Sequence, residues 1–401
     1  MNSFFPNWTA SNYNSNQYFR LWEDSLEVGS QMGQLYWQAW NEFYTSPQTL
    51  TRRNWDYLRE VSSPPQPAWQ TPNRLVDLPA PFSSLVKLLD FSQPAENVGQ
   101  SQMIPTLVLP PQAGHHSYIA DYSAEQSQMQ TLRQSGLEAV YCIEWLGATK
   151  QTAHSSIEDY IAVVDYCIEK IGGKANLVGD CQGGWLAAIY AAIYPHKVNS
   201  LTVAGAPIDF QAGDGAIKQA VNYNSQTYPD QGMSFYRQLV AMGGGVLNGS
   251  FLISGFNLMK PAQLPLRFID LYRTIDNPAA LKRYRQMKDW YDYPQNIAGT
   301  FYLWLVQHLF RDNELILDKL MVGGQVVELG QITCPLFLLA GTRDHITPAS
   351  QVFAMAAKVG TPSNQIEQFL VDGGHIGLFM GHDILKNNWS EIGGKLAQIS
   401  R

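Results

Sequence analysis

Ala175-Asn176-Leu177-Val178-Gly179-Asp180-Cys181-Gln182-Gly183-Gly184 runs directly into Trp185-Leu186-Ala187-Ala188-Ile189-Tyr190-Ala191-Ala192-Ile193-Tyr194-Pro195. The first six residues read as a short buried strand. Residues 182–195 read as a helix stopped by Pro195. Between them lies Gly-x-Cys-x-Gly, which at a strand-to-helix junction forms a nucleophile elbow. Glycines flank the reactive residue because the turn is tight and neighbouring Cβ atoms would clash. Such a turn lifts Cys181 above the sheet and points it at the start of the next helix. Unpaired N–H groups and partial positive charge there favour a thiolate and, later, an oxyanion. Taken alone, the stretch also fits a buried cysteine behind a glycine turn.

Two downstream stretches decide between these readings. After the strand Cys334-Pro335-Leu336-Phe337-Leu338-Leu339-Ala340-Gly341 comes Thr342-Arg343-Asp344-His345-Ile346-Thr347-Pro348. After residues 368–372, a second strand, comes Gly373-Gly374-His375-Ile376-Gly377. The order nucleophile, acid, histidine, each at a strand end, is that of an α/β-hydrolase fold. In it His375 deprotonates Cys181 and later returns the proton, while Asp344 fixes the tautomer and stabilises the imidazolium.

Working outward, strands expected at 106–111, 137–145, 175–180 and 200–210 alternate with helices at 123–136, 157–171 and 182–195. Ser155-x-x-Glu158 offers a capping box for the second of these helices. This alternation implies an α/β domain with a doubly wound, mostly parallel sheet. Residues 211–329 break the rhythm and read as a helical cap or lid insertion. Residues 1–100 read as a helical N-terminal extension, so the hydrolase core is expected at 101–210 and 330–401. Within the extension the spacing of Trp22, Leu26, Tyr36, Trp40 and Phe43 predicts an amphipathic helix over 19–44, its aromatic stripe packed on the main domain. A Pro-rich passage at 62–72 follows, then a further helix near 82–90.

An oxyanion hole needs a second donor beside the Gln182 N–H. The loop Pro110-Pro111-Gln112-Ala113-Gly114-His115-His116-Ser117 follows the strand from which this fold supplies it. Gly114, His115 and His116 are candidates for the oxyanion hole or substrate pocket, and His345 for the mouth of the site. A structural or water-exposed role suits each of these histidines equally. His154, His196, His308 and His382 are assigned to structure or surface. No phosphate loop, dinucleotide fingerprint or metal-ligand pair stands out, so neither cofactor nor metal is expected.

The 401 residues are 45% hydrophobic with a formal charge of −7, enough apolar material for a sizeable core and the wrong sign for a nucleic-acid binder. Residues 1–16 lack the charged and apolar regions of a secretory leader. The four cysteines, Cys142, Cys167, Cys181 and Cys334, are accordingly expected as free thiols in a cytoplasmic protein. No apolar stretch is long enough to span a bilayer.

Gly179-Asp180-Cys181-Gln182-Gly183-Gly184 resembles the G-x-C-x-G-G box of polyhydroxyalkanoate synthases. Asp344-His345-Ile346-Thr347-Pro348 and Gly374-His375-Ile376 are similar to their acid and histidine motifs. The resemblance implies a Cys-His-Asp triad that takes 3-hydroxyacyl groups from CoA thioesters and builds a polyester. Ala113-Gly114-His115-His116 and the run from His375 to Gly381 are instead similar to intracellular polyhydroxyalkanoate depolymerases, which implies hydrolysis of a polyester or oligoester. The likeness covers roughly residues 100–390. Ala349 stands where many synthases place a tryptophan, and most of their long N-terminal region is absent. Synthesis and hydrolysis therefore both remain open, as does a generic thioesterase. A granule-associated binding protein with a vestigial site is the non-enzymatic reading. The resemblance further allows association with a granule surface and a homodimer.

Overall fold

The computed structural model describes residues 15–92, 103–259 and 261–401, with side chains from residue 23 onward. All but two of the residues behind the leader reading lie outside these. The chain divides into two compact units. One comprises residues up to Pro65 together with Ser254–Asp289, and the other Gln66–Ile253 with Trp290–Arg401.

The larger unit is built on an eight-stranded sheet. Its strands are β1 (Arg74–Val76), β2 (Val86–Asp90), β3 (Thr106–Leu109), β4 (Val140–Trp145), β5 (Ala175–Asp180), β6 (Val198–Ala204), β7 (Leu336–Gly341) and β8 (Ile366–Val371). They lie in the order β1-β2-β4-β3-β5-β6-β7-β8. β2 runs antiparallel to both neighbours, and all pairs from β4 to β8 are parallel. β3, β5 and β7 are buried at every residue, as parallel strands covered on both faces must be. The helices, in chain order, are α1 (Ser15–Thr45), α2 (Pro47–Ser62), α3 (Gln128–Gln134), α4 (Ile157–Lys170), α5 (Gln182–Ile193), α6 (Ala216–Thr227), α7 (Met233–Met242), α8 (Gly249–Met259), α9 (Gln263–Thr274), α10 (Pro278–Tyr291) and α11 (Gly299–Trp304). Short helical turns and the helix Ser390–Ile399 complete the chain. α4 buries Ile157, Ile161, Val164 and Ile168 along one face, the helical spacing read from sequence. α5 is apolar all round and is buried from Gln182 to Ala192, as a helix at the centre of a fold should be.

Several expectations need correction. Residues 82–90 form a short 3-10 turn and then strand β2, not a helix. β1 and β2 join the main sheet, so the core begins near Gln66 rather than at residue 101. What attaches this segment is buried polar bonding. Asp121 accepts hydrogen bonds from the backbone N–H groups of Gln70 (2.6 Å) and Thr71 (2.7 Å) and from the Thr71 hydroxyl (2.7 Å). The insertion does not form one body either: Ser254–Asp289 groups with the N-terminal helices, and the rest groups with the core. The helix expected over 123–136 shortens to α3 because Asp121–Ser123 and Gln126–Ser127 pair as a small hairpin. Ser156 and Asp159 form the capping box of α4, one residue later than Ser155 and Glu158.

In the smaller unit a cluster of Leu271, Ile275 and Tyr284, with Tyr57, Val61 and Leu281 against it, forms the apolar centre. Ion pairs surround it. Arg285 forks onto the buried Glu60 at 2.6 and 2.7 Å, and Arg53 bridges Glu42 and Asp276. α1 covers the helix expected over 19–44. Trp22 lies outside the described side chains, but Leu26, Tyr36, Trp40 and Phe43 are exposed, Tyr36 by 62%. The stripe is therefore not a packed face, and Trp37 and Tyr44 beside it are exposed as well.

The fully buried Asp121 side chain accepts from three donors, of which the two backbone N–H groups both point at Oδ2. Asp121→Ala should strand them and cost about 2 kcal/mol or more of stability, read as a lowered midpoint of thermal unfolding of the larger unit.

Candidate active site

Cys181 caps the N-terminus of α5 with φ +49° and ψ −116°. A non-glycine residue in that region stores of order 1–3 kcal/mol of strain and persists only where its surroundings enforce it. Crowding enforces it here. A Cβ on Gly183 would lie 1.9 Å from the Leu109 carbonyl oxygen, one on Gly184 would lie 2.4 Å from Ala206 Cβ, and one on Gly179 would lie 2.5 Å from the Gly183 oxygen. The glycines therefore let the first turn of α5 press against β3 and the end of β6, which leaves the chain only the elbow conformation between β5 and α5. The Cys181 N–H donates to Ala204 O at 2.8 Å and pins the turn.

His375 Nε2 lies 3.1 Å from Cys181 Sγ, and its Nδ1 lies 2.7 Å from Asp344 Oδ2. The three predicted residues are thus brought together in the expected order of contact. The other Asp344 oxygen accepts from the N–H groups of Ile346 and Thr347, both at 2.9 Å, so the loop after β7 orients the carboxylate toward the ring. Asp344 and His375 are buried, while Cys181 is half-buried and reachable. Burial opposes a charged imidazole, but the Cys181 thiolate and the Asp344 carboxylate outweigh it and raise the His375 pKa to about 10. The ring edge of Phe379 packs on His375.

Gly205, not anticipated from sequence, belongs to this site. It follows β6 at φ +55°, and a Cβ there would lie 2.8 Å from Leu378 Cδ1 and 3.0 Å from Phe379 Cζ. The signal was available: the residue ends a parallel strand beside the elbow, where ligands bind in open α/β sheets.

The remaining candidates are placed differently. Gln182 occupies the first position of α5, where a backbone N–H has no intrahelical acceptor. Pro110 and Pro111 carry no N–H, so the first backbone donor after β3 is that of Gln112. The Gly114 carbonyl instead accepts from Gln295 N at 2.8 Å. The His115 ring is buried, stacked on Trp290 with centroids 4.6 Å apart. Burial lowers its pKa to about 4 against a backbone hydrogen bond to Tyr291. His116 accepts from Tyr118 N through Nδ1 at 3.1 Å and presents Nε2 to Glu144 at 3.7 Å. Burial works against the Glu144 carboxylate, yet hydrogen bonds from His116, Lys87 and Trp69 bring its pKa down to about 2. The structure thus ties both loop histidines to Trp290 and Glu144 rather than to His375. His345 is exposed, and its carbonyl accepts from Ala216 N at the start of α6. His154, His196 and His382 are exposed, and His308 pairs with Glu314. No described residues form a metal-binding group of three or more His, Cys, Asp or Glu. No described helix is long and apolar enough to cross a membrane.

The model of the family described as "Protein of unknown function (DUF3141)" matches residues 74–400, and the chain belongs to that family. Among curated proteins, the chain is 28% identical over 309 residues to the Poly(3-hydroxyalkanoate) polymerase subunit PhaC of Allochromatium vinosum, covering 74% of this chain and 82% of the relative. It is 26% identical over 292 residues to the subunit of the same name from Haloferax mediterranei, covering 71% of this chain and 56% of that one. It is also 25% identical over 342 residues to an uncharacterized protein encoded in the ackA 5' region of Rhizobium meliloti, covering 81% of this chain and 45% of the relative. Among solved structures, a monoacylglycerol lipase from Paleococcus ferrophilus superposes with a TM-score of 0.50 at 19% identity, covering 79% of this chain and 99% of that one. The fold is that of the α/β hydrolases.

The four thiols should separate sharply. Burial pushes Cys142 well up, Cys167 to about 12 and Cys334 to about 11. Iodoacetamide at neutral pH should label Cys181 before the other three, as followed by peptide mass mapping; an unreactive Cys181 in folded protein would contradict the imidazole pairing. Gly205→Ala should displace the Leu378–Phe379 turn and slow that labelling roughly tenfold or more, because small misplacements at reacting atoms are costly.

Proposed function

We propose that the chain transfers 3-hydroxyacyl groups through an acyl-cysteine at Cys181, in the manner of the polyhydroxyalkanoate polymerase subunits it resembles. The observation that carries this reading is the line Cys181 Sγ, His375, Asp344, with contacts of 3.1 and 2.7 Å at the head of α5. In the reading, the Cys181 thiolate attacks the carbonyl carbon of an acyl thioester. The oxyanion is met by the Gln182 N–H and by a donor from the loop after β3, for which Gln112 offers the first N–H. The departing thiolate takes its proton from His375, whose positive charge Asp344 has stabilised. His375 then deprotonates the incoming hydroxyl of a growing chain, which attacks the acyl-cysteine and frees Cys181. No resident cofactor enters the scheme.

Hydrolysis is the second reading, since water can replace the chain hydroxyl at the last step. Its support is the likeness of Ala113-Gly114-His115-His116 and of the run from His375 to Gly381 to depolymerases, while the curated relatives named as polymerase subunits favour acyl transfer to a hydroxyl. The parts of the 211–329 insertion that group with the core act in this reading as a cap that limits water. Phe210 and Ala216 support it by bonding to the segment that follows Asp344: Ala216 N donates to His345 O, and Gln351 Nε2 to Phe210 O. A cytoplasmic setting and contact with a polyester granule belong to the same reading and rest on the likeness alone.

Purified protein given 3-hydroxybutyryl-CoA should release free CoA while an ester-linked oligomer accumulates. CoA release with only free 3-hydroxybutyrate would establish hydrolysis instead. Cys181→Ala should abolish release, and His375→Ala should lower it by several orders of magnitude, since such residues act as a unit. A Cys181→Ala protein with full activity would refute the covalent mechanism.

A further inference from the structure

Directly before the elbow cysteine stands Asp180, the last residue of β5, fully buried and in no ion pair among the described residues. Among the described residues its side chain bonds to Gln128, also fully buried, at the N-terminus of α3: Gln128 Nε2 donates to Asp180 Oδ1 at 3.2 Å. The other oxygen of each group, Asp180 Oδ2 and Gln128 Oε1, is buried without a hydrogen-bond partner. Two acceptors left over on a pair already joined by one N–H···O bond are what remains of an acid–amide ring when its proton is not drawn.

We infer that Asp180 is a neutral carboxylic acid, donating from Oδ2–H to Gln128 Oε1 while Gln128 Nε2–H donates to Oδ1, and that this closed pair is a positioning element for Cys181. One proton satisfies both orphaned oxygens, and no charge remains to be solvated in the interior. The inference rests on the reading of Cys181 as the nucleophile only for its functional half.

The electrostatics agree. Burial raises Asp180 to about 7, with the Gln128 hydrogen bond acting in the other direction. Cys142 on β4 senses the charges of Asp180, Asp121 and Glu144. Asp121 and Glu144 have their own donors from Thr71 and Gln70, and from Trp69 and Lys87. Neither relieves a charge on Asp180, and Cys142, pushed well up by burial first, is a neutral thiol. Ionising Asp180 would set carboxylate oxygen against amide oxygen and bring a negative charge next to the Cys181 thiolate. Both effects would loosen the strand end from α3 and oppose the reactive form of the thiol.

The pair makes the asparagine variant informative. In Asp180→Asn the side-chain amide can reproduce both hydrogen bonds of the neutral acid but cannot ionise. Infrared spectra of wild type with isotope-labelled aspartate should contain a protonated-carboxyl band at and below neutral pH that is lost in D180N. Its absence from wild type would overturn the inference, whether or not Cys181 is catalytic. The rate of Cys181 alkylation as a function of pH tests the positioning role. Wild type should lose reactivity as Asp180 ionises on the alkaline side, D180N should lack that loss, and D180A should be roughly tenfold or more slower throughout. Superposable profiles for wild type and D180N, or a D180N protein as slow as D180A, would overturn it.

Discussion

The positive φ of Cys181 is held by three glycines packed so closely against β3, β6 and one another that added methyl groups would overlap carbonyl oxygens or neighbouring carbons. Everything else in the larger unit is arranged around that strained turn. The parallel strands β3, β5, β6 and β7 provide the wall against which it is compressed, and their buried apolar runs make the wall unyielding. With the turn fixed, the thiol has one position. The loops after β7 and β8 need only carry an acid and an imidazole to within hydrogen-bonding distance of each other and of that point. The two backbone N–H groups that orient Asp344 are an economical solution, because they come from the same loop that bears it.

The part of the molecule under strongest chemical constraint was the part most legible in the sequence. The elbow needs small residues at fixed offsets, and the acid and the histidine each follow a strand end, so the contact line of Cys181, His375 and Asp344 could be expected from local sequence. The all-apolar strands and the one-faced α4 were equally plain. Where the sequence misled, two local patterns competed. The run from Leu85 to Leu89 is short and apolar and suits either helix or strand; pairing with β4 decides it, and no local signal carries that pairing. Ser155 and Ser156 each have an acid three residues on, and only the packing of α4 selects the second.

The histidine loop was harder to read for a different reason. Gly114-His115-His116 has the residue types of a catalytic loop, but an aromatic ring stacked on Trp290 and a ring against Glu144 have the same types and opposite meaning. The ring partners lie far off in sequence, near residues 144 and 290, where no local pattern reveals them. Likewise, an aromatic stripe at helical spacing normally marks a packed face, yet that of α1 is exposed. Asp180 escaped notice because its position inside the motif looks like a spacer, and its meaning depends on Gln128, 52 residues away.

Half-burial of Cys181 beside an imidazole raised to about 10 also has a redox side. A partly exposed thiol paired with an imidazole is open to peroxide, and oxidation of such a thiol begins at the sulfenic acid, which thiol reductants reverse. A serine at the same elbow would be indifferent to oxidants. The choice of sulfur thus ties the lifetime of this thiol to the reducing capacity around it, with Cys142 and Cys167 sheltered by burial.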